Sequence, residues 1–170
     1  MSVDFTMTGD HEGDARALRD AFGCFTTGVT IVTTLTARGA PAGFTANSFA
    51  SVSLDPPLVL VCVDLKANTL PALEASKVFV VNVLHAGQRD TARKFARRDA
   101  DKFKATPFET WATGAPVLSG CMANFECETH QAFDAGDHRV FIGRVLKLHT
   151  DPDHDPLVFL RGGYCGVTPG

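Results

Sequence analysis

Several features that mark specialised proteins are missing from this chain. Among its 170 residues no apolar run approaches the ~20 that a helix needs to cross a bilayer, so a membrane partner is not expected. There is no basic excess: 16 lysines and arginines stand against 19 acidic residues, a formal charge of −3. Such a surface has little with which to neutralise a row of phosphates, which argues against nucleic acid as a partner. The five cysteines, Cys24, Cys62, Cys121, Cys127 and Cys165, are odd in number and form no Cys-x-x-Cys pair. Reduced thiols are expected, not a disulfide framework. The six histidines show no His-x-x-x-His spacing, and no metal site is expected. A Gly-x-Gly-x-x-Gly fingerprint is also absent, so no Rossmann domain is implied. The segment from Met1 to Asp14 is polar and acidic, unlike a signal peptide, and points to a cytoplasmic protein.

What is present suits one soluble domain. The length is enough to bury a core without disulfides or metal. Hydrophobic residues make up 45% and charged residues 21%, ordinary values for a globular chain. Residues 1–13 read as a flexible arm and 14–170 as the domain. Asp14 is expected to cap a helix with Ala15, Leu18, Phe22 and Phe25 on one face, ended by Gly28. Strand signals then dominate. Residues 29–36 and 42–49, separated by the turn at 37–41, read as a hairpin. Asp55-Pro56-Pro57 breaks the chain before the apolar run 58–64, expected to be a strand buried on both faces. Thr69 suits the cap of a short helix over 69–76, with Pro71 in its first turn. Residues 78–84 are β-rich, and 88–98 are helical with Ala92, Phe95 and Ala96 on one side. From Ala123 to His130 polar and apolar residues alternate, which predicts a strand whose face of Asn124, Glu126, Glu128 and His130 is wet. After a turn at 134–137 come strands over 139–148 and 156–160. About seven strands and a few short helices imply an antiparallel barrel with helices outside it.

The stretch Gly43-Phe44-Thr45-Ala46-Asn47-Ser48-Phe49-Ala50-Ser51-Val52-Ser53 sets four small hydroxyls and an amide among aromatics. Small donors beside backbone N–H groups suit a flat polar heterocycle with a phosphate tail; a solvated hairpin face has the same composition. Arg93, Lys94, Arg97, Arg98, Lys102 and Lys104 form a basic cluster, which is either an anion site or an exposed helix face neutralised by Asp90, Asp99 and Asp101.

Thr45-Ala46-Asn47-Ser48-Phe49, Ser51-Val52-Ser53 and Asp55-Pro56-Pro57 resemble the short-chain flavin reductase family. The likeness continues through Phe25-Thr26-Thr27-Gly28-Val29, Val81-Asn82-Val83-Leu84, Gly136-Asp137-His138-Arg139 and Gly162-Gly163-Tyr164, covering about residues 15–168. The resemblance implies a mainly β fold: an antiparallel split β-barrel with a few flanking helices. It implies an NAD(P)H-dependent enzyme that passes hydride from NADH (less readily NADPH) to FAD or FMN, supplying a two-component monooxygenase by diffusion of reduced flavin. It implies a homodimer with flavin near the subunit interface.

On the family pattern the flavin contacts are Thr45, Ala46, Asn47, Ser48, Ser51, Ser53, Cys62, Val63, Asp64, Lys66, Asn68, Thr69, Ala96 and Lys102. Cys62 contributes through its backbone, and Asn68 and Thr69 lie at a helix start suited to phosphate. The nicotinamide contacts are His138, Arg161, Gly162, Gly163 and Tyr164. Many relatives carry a bulkier residue where Gly163 stands. No acid–base triad is required, because hydride passes directly between two rings. A cobalamin or metal-complex reductase and a non-catalytic flavin-binding protein are alternatives on the same scaffold. The arginine-rich phosphate pattern of pyridoxamine-phosphate oxidases, which share the split barrel, is not apparent.

Overall fold

β-Branched runs and their breaks set the frame. The computed structural model describes residues 4–98 and 101–167. In chain order the elements are α1 (His11–Phe22), β1 (Thr27–Gly28), β2 (Thr30–Leu35), β3 (Pro41–Ala46), β4 (Ala50–Leu54), β5 (Pro57–Asp64), α2 (Leu70–Ser76), β6 (Val78–Val83) and a 3-10 turn (Ala86–Gln88). There follow α3 (Arg89–Ala96), β7 (Phe108–Thr110), β8 (Pro116–Leu118), β9 (Ala123–Ala135), β10 (His138–Thr150), β11 (Val158–Leu160) and β12 (Gly163–Cys165). The fold is mainly β and antiparallel with few helices, as expected. No helix among the described residues is long and apolar enough to cross a membrane.

Seven strands form one sheet in the order β3-β2-β6-β9-β10-β5-β4. Laid flat, its edges would stand ~29 Å apart at ~4.8 Å per strand. Yet the two edge strands follow one another in sequence, joined only by Asn47-Ser48-Phe49. Four Cα steps span at most ~14 Å, so the sheet must curl until its edges approach at that link. Inside lie Val32, Val61, Phe79, Val81 and Phe141, with a second cluster of Val29, Ile31, Leu84, Phe95 and Leu157 toward α3.

Local expectations fail where tertiary packing overrides the local signal. Helix α1 starts three residues before Asp14. Its cap is Asp10, which accepts from Glu12 N at 3.3 Å. Asp14 instead accepts from Thr8 N (3.0 Å) and Gly9 N (2.8 Å), folding the preceding turn back onto the helix. These bonds, Thr8 N foremost, hold its carboxyl below the usual range. The helix ends at Gly23, not Gly28. Phe22 and Phe25 stay exposed. Strand β5 buries one face, not two: Val59, Val61 and Val63 point inward while Leu58, Leu60 and Cys62 are half-buried. Thr69 precedes α2, but its side chain caps nothing.

The polar face of β9 is dry at its start. Asn124 and Glu126 are buried because the β7–β8 hairpin and the turn before β8 cover them. Asn124 Nδ2 donates to Asn82 Oδ1 at 2.8 Å, which also accepts from Leu118 N at 2.9 Å. Glu126 Oε1 accepts from Thr113 N and Thr113 Oγ1, both at 2.8 Å. Its Oε2 has no partner among the described residues, so Glu126 is half satisfied, while the Asn82–Asn124 pair ties its strands together.

Candidate functional site

Four segments distant in sequence close around one open cavity of ≈ 990 Å³. They are the end of α1 with the chain leading into β1, the Asn47 link, His138 at the start of β10 and the β11–β12 hairpin. The hairpin is drawn in by two backbone bonds, Val29 N to Leu157 O (3.1 Å) and Arg161 N to Gly23 O (2.8 Å). Its volume is near the upper end of the ~300–1,000 Å³ usual for ligand clefts. A smaller recess of ≈ 160 Å³ adjoins it, lined by Val29, Thr45, Ala46, Ala96 and Tyr164. Asn47 and Phe159 line both, so the two form one trough.

Residues from both sequence-predicted groups meet there. Thr45, Ala46, Asn47 and Ala96 of the flavin group face the recess with Tyr164; His138, Arg161 and Gly162 line the larger cavity. Each is placed by identifiable packing. Thr45 Oγ1 donates to Ala92 O at 2.6 Å, pinning α3 to β3. Gly43 permits that approach: a Cβ there would lie 3.0 Å from the Phe95 ring and from Val32 O. Tyr164 meets Phe159 edge-on at 5.6 Å, and burial raises its phenol pKa, with Arg93 partly opposing.

His138 opens β10 opposite Asp64 on β5. Its Nδ1 lies 2.6 Å from Asp137 Oδ1. That hydrogen bond, chiefly, holds the Asp137 carboxyl below its usual range, with Lys66 contributing. The ring is therefore oriented by its neighbour while its other face stays accessible.

The remaining predicted residues line neither part of the trough. Ser48 is spent on structure: its hydroxyl donates to Cys62 O (3.1 Å) and accepts from Cys62 N (3.0 Å), holding the link to β5. Val63 and Thr69 are buried. Ser51, Asp64, Lys66 and Asn68 are exposed, and Ser53 and Cys62 half-buried. Asp64 accepts from Lys66 N at 2.7 Å. Lys102 donates to Gly43 O at 2.9 Å, and burial lowers its pKa. Gly163 lies just outside the trough, and a Cβ on it would meet only Leu160 O at 3.7 Å, so its lack of a side chain is not demanded locally. Of the basic cluster, Arg93 pairs with Asp90 at 3.3 Å and Lys94 donates to Thr106 Oγ1 at 3.0 Å and to Lys104 O. Asp99 lies outside the described residues.

Sequence reasoning missed Arg19, Asp20, Phe22, Phe25, Thr27 and Phe159, all of which line the cavity. The first four read as an ordinary amphipathic helix; only the docking of the hairpin on Gly23 reveals them. Thr27 Oγ1 is buried without a hydrogen-bond partner at this wall. A buried hydroxyl left unpaired is costly, so the wall suits a polar ligand atom. Apolar walls, a few converging polar groups and this orphaned hydroxyl fit flat heterocycles with polar edges.

Residues 22–168 match the family model described as a flavin reductase like domain. A probable flavin reductase of Rhizobium meliloti (strain 1021) is 46% identical over 151 residues, 89% of this chain but only 48% of that protein, so the chain spans about half of it. The flavin-dependent monooxygenase reductase subunit HsaB of Rhodococcus jostii (strain RHA1) is 42% identical over 156 residues, covering 92% of this chain and 80% of that one. The structure of the Streptomyces globisporus NADH:FAD oxidoreductase SgcE6 in complex with NAD and FAD fragments superposes with a TM-score of 0.89 at 38% identity, covering 98% of each chain.

Proposed function

The chain belongs to the flavin reductase-like domain family, and from that premise we propose that it transfers hydride from NADH to FAD or FMN and supplies reduced flavin to a partner monooxygenase. One observation carries this reading: flavin-type and nicotinamide-type residues from distant segments line the same trough, with Asn47 and Phe159 where its two parts join. Flavin supplies the hydride acceptor when bound. The chain's residues supply alignment. Asn47 offers an amide to the polar ring edge, and Tyr164 and Phe159 wall the recess. His138, held by Asp137, orients the nicotinamide, and Thr27 offers its hydroxyl. Phe22, Phe25 and Phe159 offer apolar surface for the bound rings to pack against. Reacting rings must stand within roughly 3–3.5 Å, and fixing that geometry replaces acid–base catalysis.

NADH is the preferred reductant in this proposal, and reduced flavin leaves by diffusion. The named reductase subunit of a flavin-dependent monooxygenase and the NADH:FAD oxidoreductase among the relatives support both the partner class and the reductant. The active form is a homodimer. The five cysteines are all unpaired, which suits a reducing cytoplasm. The test is NADH oxidation by purified protein, followed by absorbance with and without added FAD or FMN. Steady flavin-dependent loss of NADH is expected, with FAD at least as effective as FMN. No flavin-dependent loss would leave a non-catalytic binding module.

A further inference from the structure

Two guanidinium groups at the rim of the large cavity form no ion pair among the described residues: Arg19 in the last turn of α1 and Arg161 in the β11–β12 turn. Asp20 shares that rim. Arg161 stands out because of its backbone. Its φ is +48° and that of Gly162 is +79°, so both central residues of this tight hairpin are left-handed. Such turns favour Asn-Gly, and arginine at the first position is strained where asparagine or glycine is not. The exposed Arg161 side chain makes no hydrogen bond within the described residues that would offset the strain. Its backbone N–H does fix the turn to the end of α1 through Gly23 O at 2.8 Å, which brings the Arg161 and Arg19 segments together. The helix also turns its C-terminal end toward this cavity, and that end repels anions. An anion held here depends on side-chain cations.

We propose that Arg19 and Arg161 clamp the diphosphate bridge of the pyridine dinucleotide, and that Asp20 accepts from the adenosine ribose hydroxyls, so that this rim reads the adenylate half and selects NADH over NADPH. Guanidinium forks match phosphate oxygens in geometry and charge. A carboxylate accepts from a free 2′-hydroxyl and repels a 2′-phosphate. His138, lining the same cavity, takes the nicotinamide end. The inference rests on the reading above that this trough binds reduced pyridine nucleotide.

ADP-ribose, which has the diphosphate but no nicotinamide, and reduced nicotinamide riboside, which lacks both phosphates and the adenosine, separate the two ends. The full chain is titrated with ADP-ribose by calorimetry and assayed with NADH, NADPH and the riboside. Arg161→Asn suits the left-handed turn, so its melting temperature should hold or rise. Its ADP-ribose affinity should fall about tenfold, the scale of one charge-assisted contact, and its KM for NADH should rise similarly with kcat little changed. The KM for the riboside and the dissociation constant for FAD should stay near wild type. Arg19→Gln should behave alike. Asp20→Asn should raise the NADPH-to-NADH ratio of kcat/KM by about tenfold. Unchanged ADP-ribose affinity in both arginine variants overturns the clamp. So does an equal loss with the riboside, or a loss that falls on FAD instead. An unchanged cofactor ratio in Asp20→Asn removes the selecting role. Wild-type protein that oxidises NADH while its variants stay normal refutes this inference alone; wild-type protein that neither oxidises NADH nor binds ADP-ribose refutes the underlying reading too.

Discussion

Asn47 lines both parts of the trough and His138 only the larger one, and their side chains are not part of the core. Asn47 is exposed at the link between the sheet edges. The Asn47→Ala variant should fold normally and bind flavin less tightly. One lost hydrogen bond to a desolvated polar ring costs ~1–3 kcal/mol, or roughly 5- to 150-fold in affinity. His138→Ala should do the reverse, with a near-normal flavin dissociation constant but more NADH needed for the same reduction rate. Flavin titration and stopped-flow reduction measure the two effects separately. A histidine variant that loses flavin affinity while keeping its NADH dependence would show that this division of the site is wrong. Thiol chemistry does not compete with this scheme. Burial pushes Cys121 to about 11 and Cys127 to about 12, and raises Cys62, so none of these is primed as a thiolate at neutral pH.

Among the elements, the β9–β10 ribbon depends on one small residue. Gly143 is buried opposite Val59. A Cβ there would run into the ring of Phe79, which is fully buried, and stand 2.9 Å from Cys127 Cβ. Neither neighbour has room to yield. Gly143→Ala should therefore cost ~1–3 kcal/mol, an overpacking penalty. At ~2–4 °C per kcal/mol for a domain of this size, thermal melting should fall by roughly 2–12 °C. A melting curve matching wild type would mean that the sheet relaxes freely at this point. Long elements such as these were legible in the sequence, because their alternation and β-branched runs extend over many residues. The pair β7–β8 and strand β12 were not, since three-residue strands carry no usable period, whereas β11 falls inside the strand expected over 156–160. The burial of Asn124 and Glu126 was likewise hidden: alternation shows which side chains share a face, not what covers it. At the site, contiguous motifs such as Thr45-Ala46-Asn47 could be read directly. Arg19, Phe22 and Thr27 join them only through the docking of the hairpin on the end of α1.

For the whole molecule, strand register shows a face that the single chain leaves uncovered. Residues paired across an antiparallel sheet share a face. Phe133 pairs with Val140, which pairs with Cys62; Gln131 pairs with Ile142, then Leu60, then Ala50; Arg144 pairs with Leu58. The core-facing rows, such as Phe141 with Val61, alternate with these. The outer face of β9-β10-β5-β4 therefore carries a mainly apolar stripe across four strands. Phe133 is 44% exposed, and Leu54 at the neighbouring edge is 96% exposed. An apolar band of this kind marks an interaction surface. A second copy is its expected occupant, because a two-fold pairing covers the same stripe on both chains at once. It would also bring a second wall to Ser53 and Cys62, which belong to the flavin pattern yet line no cavity in one chain. Sedimentation should therefore give twice the 18.2 kDa chain mass at micromolar concentration. Ile142→Arg places a charge in the middle of the stripe without entering the core. Leaving it buried and unpaired in a dimer costs ~3–5 kcal/mol, enough to weaken association by more than 100-fold. The variant should sediment as a folded monomer with wild-type circular dichroism and weakened flavin binding. Wild-type protein that sediments as a monomer, or a variant that remains a dimer, would remove this face as the interface.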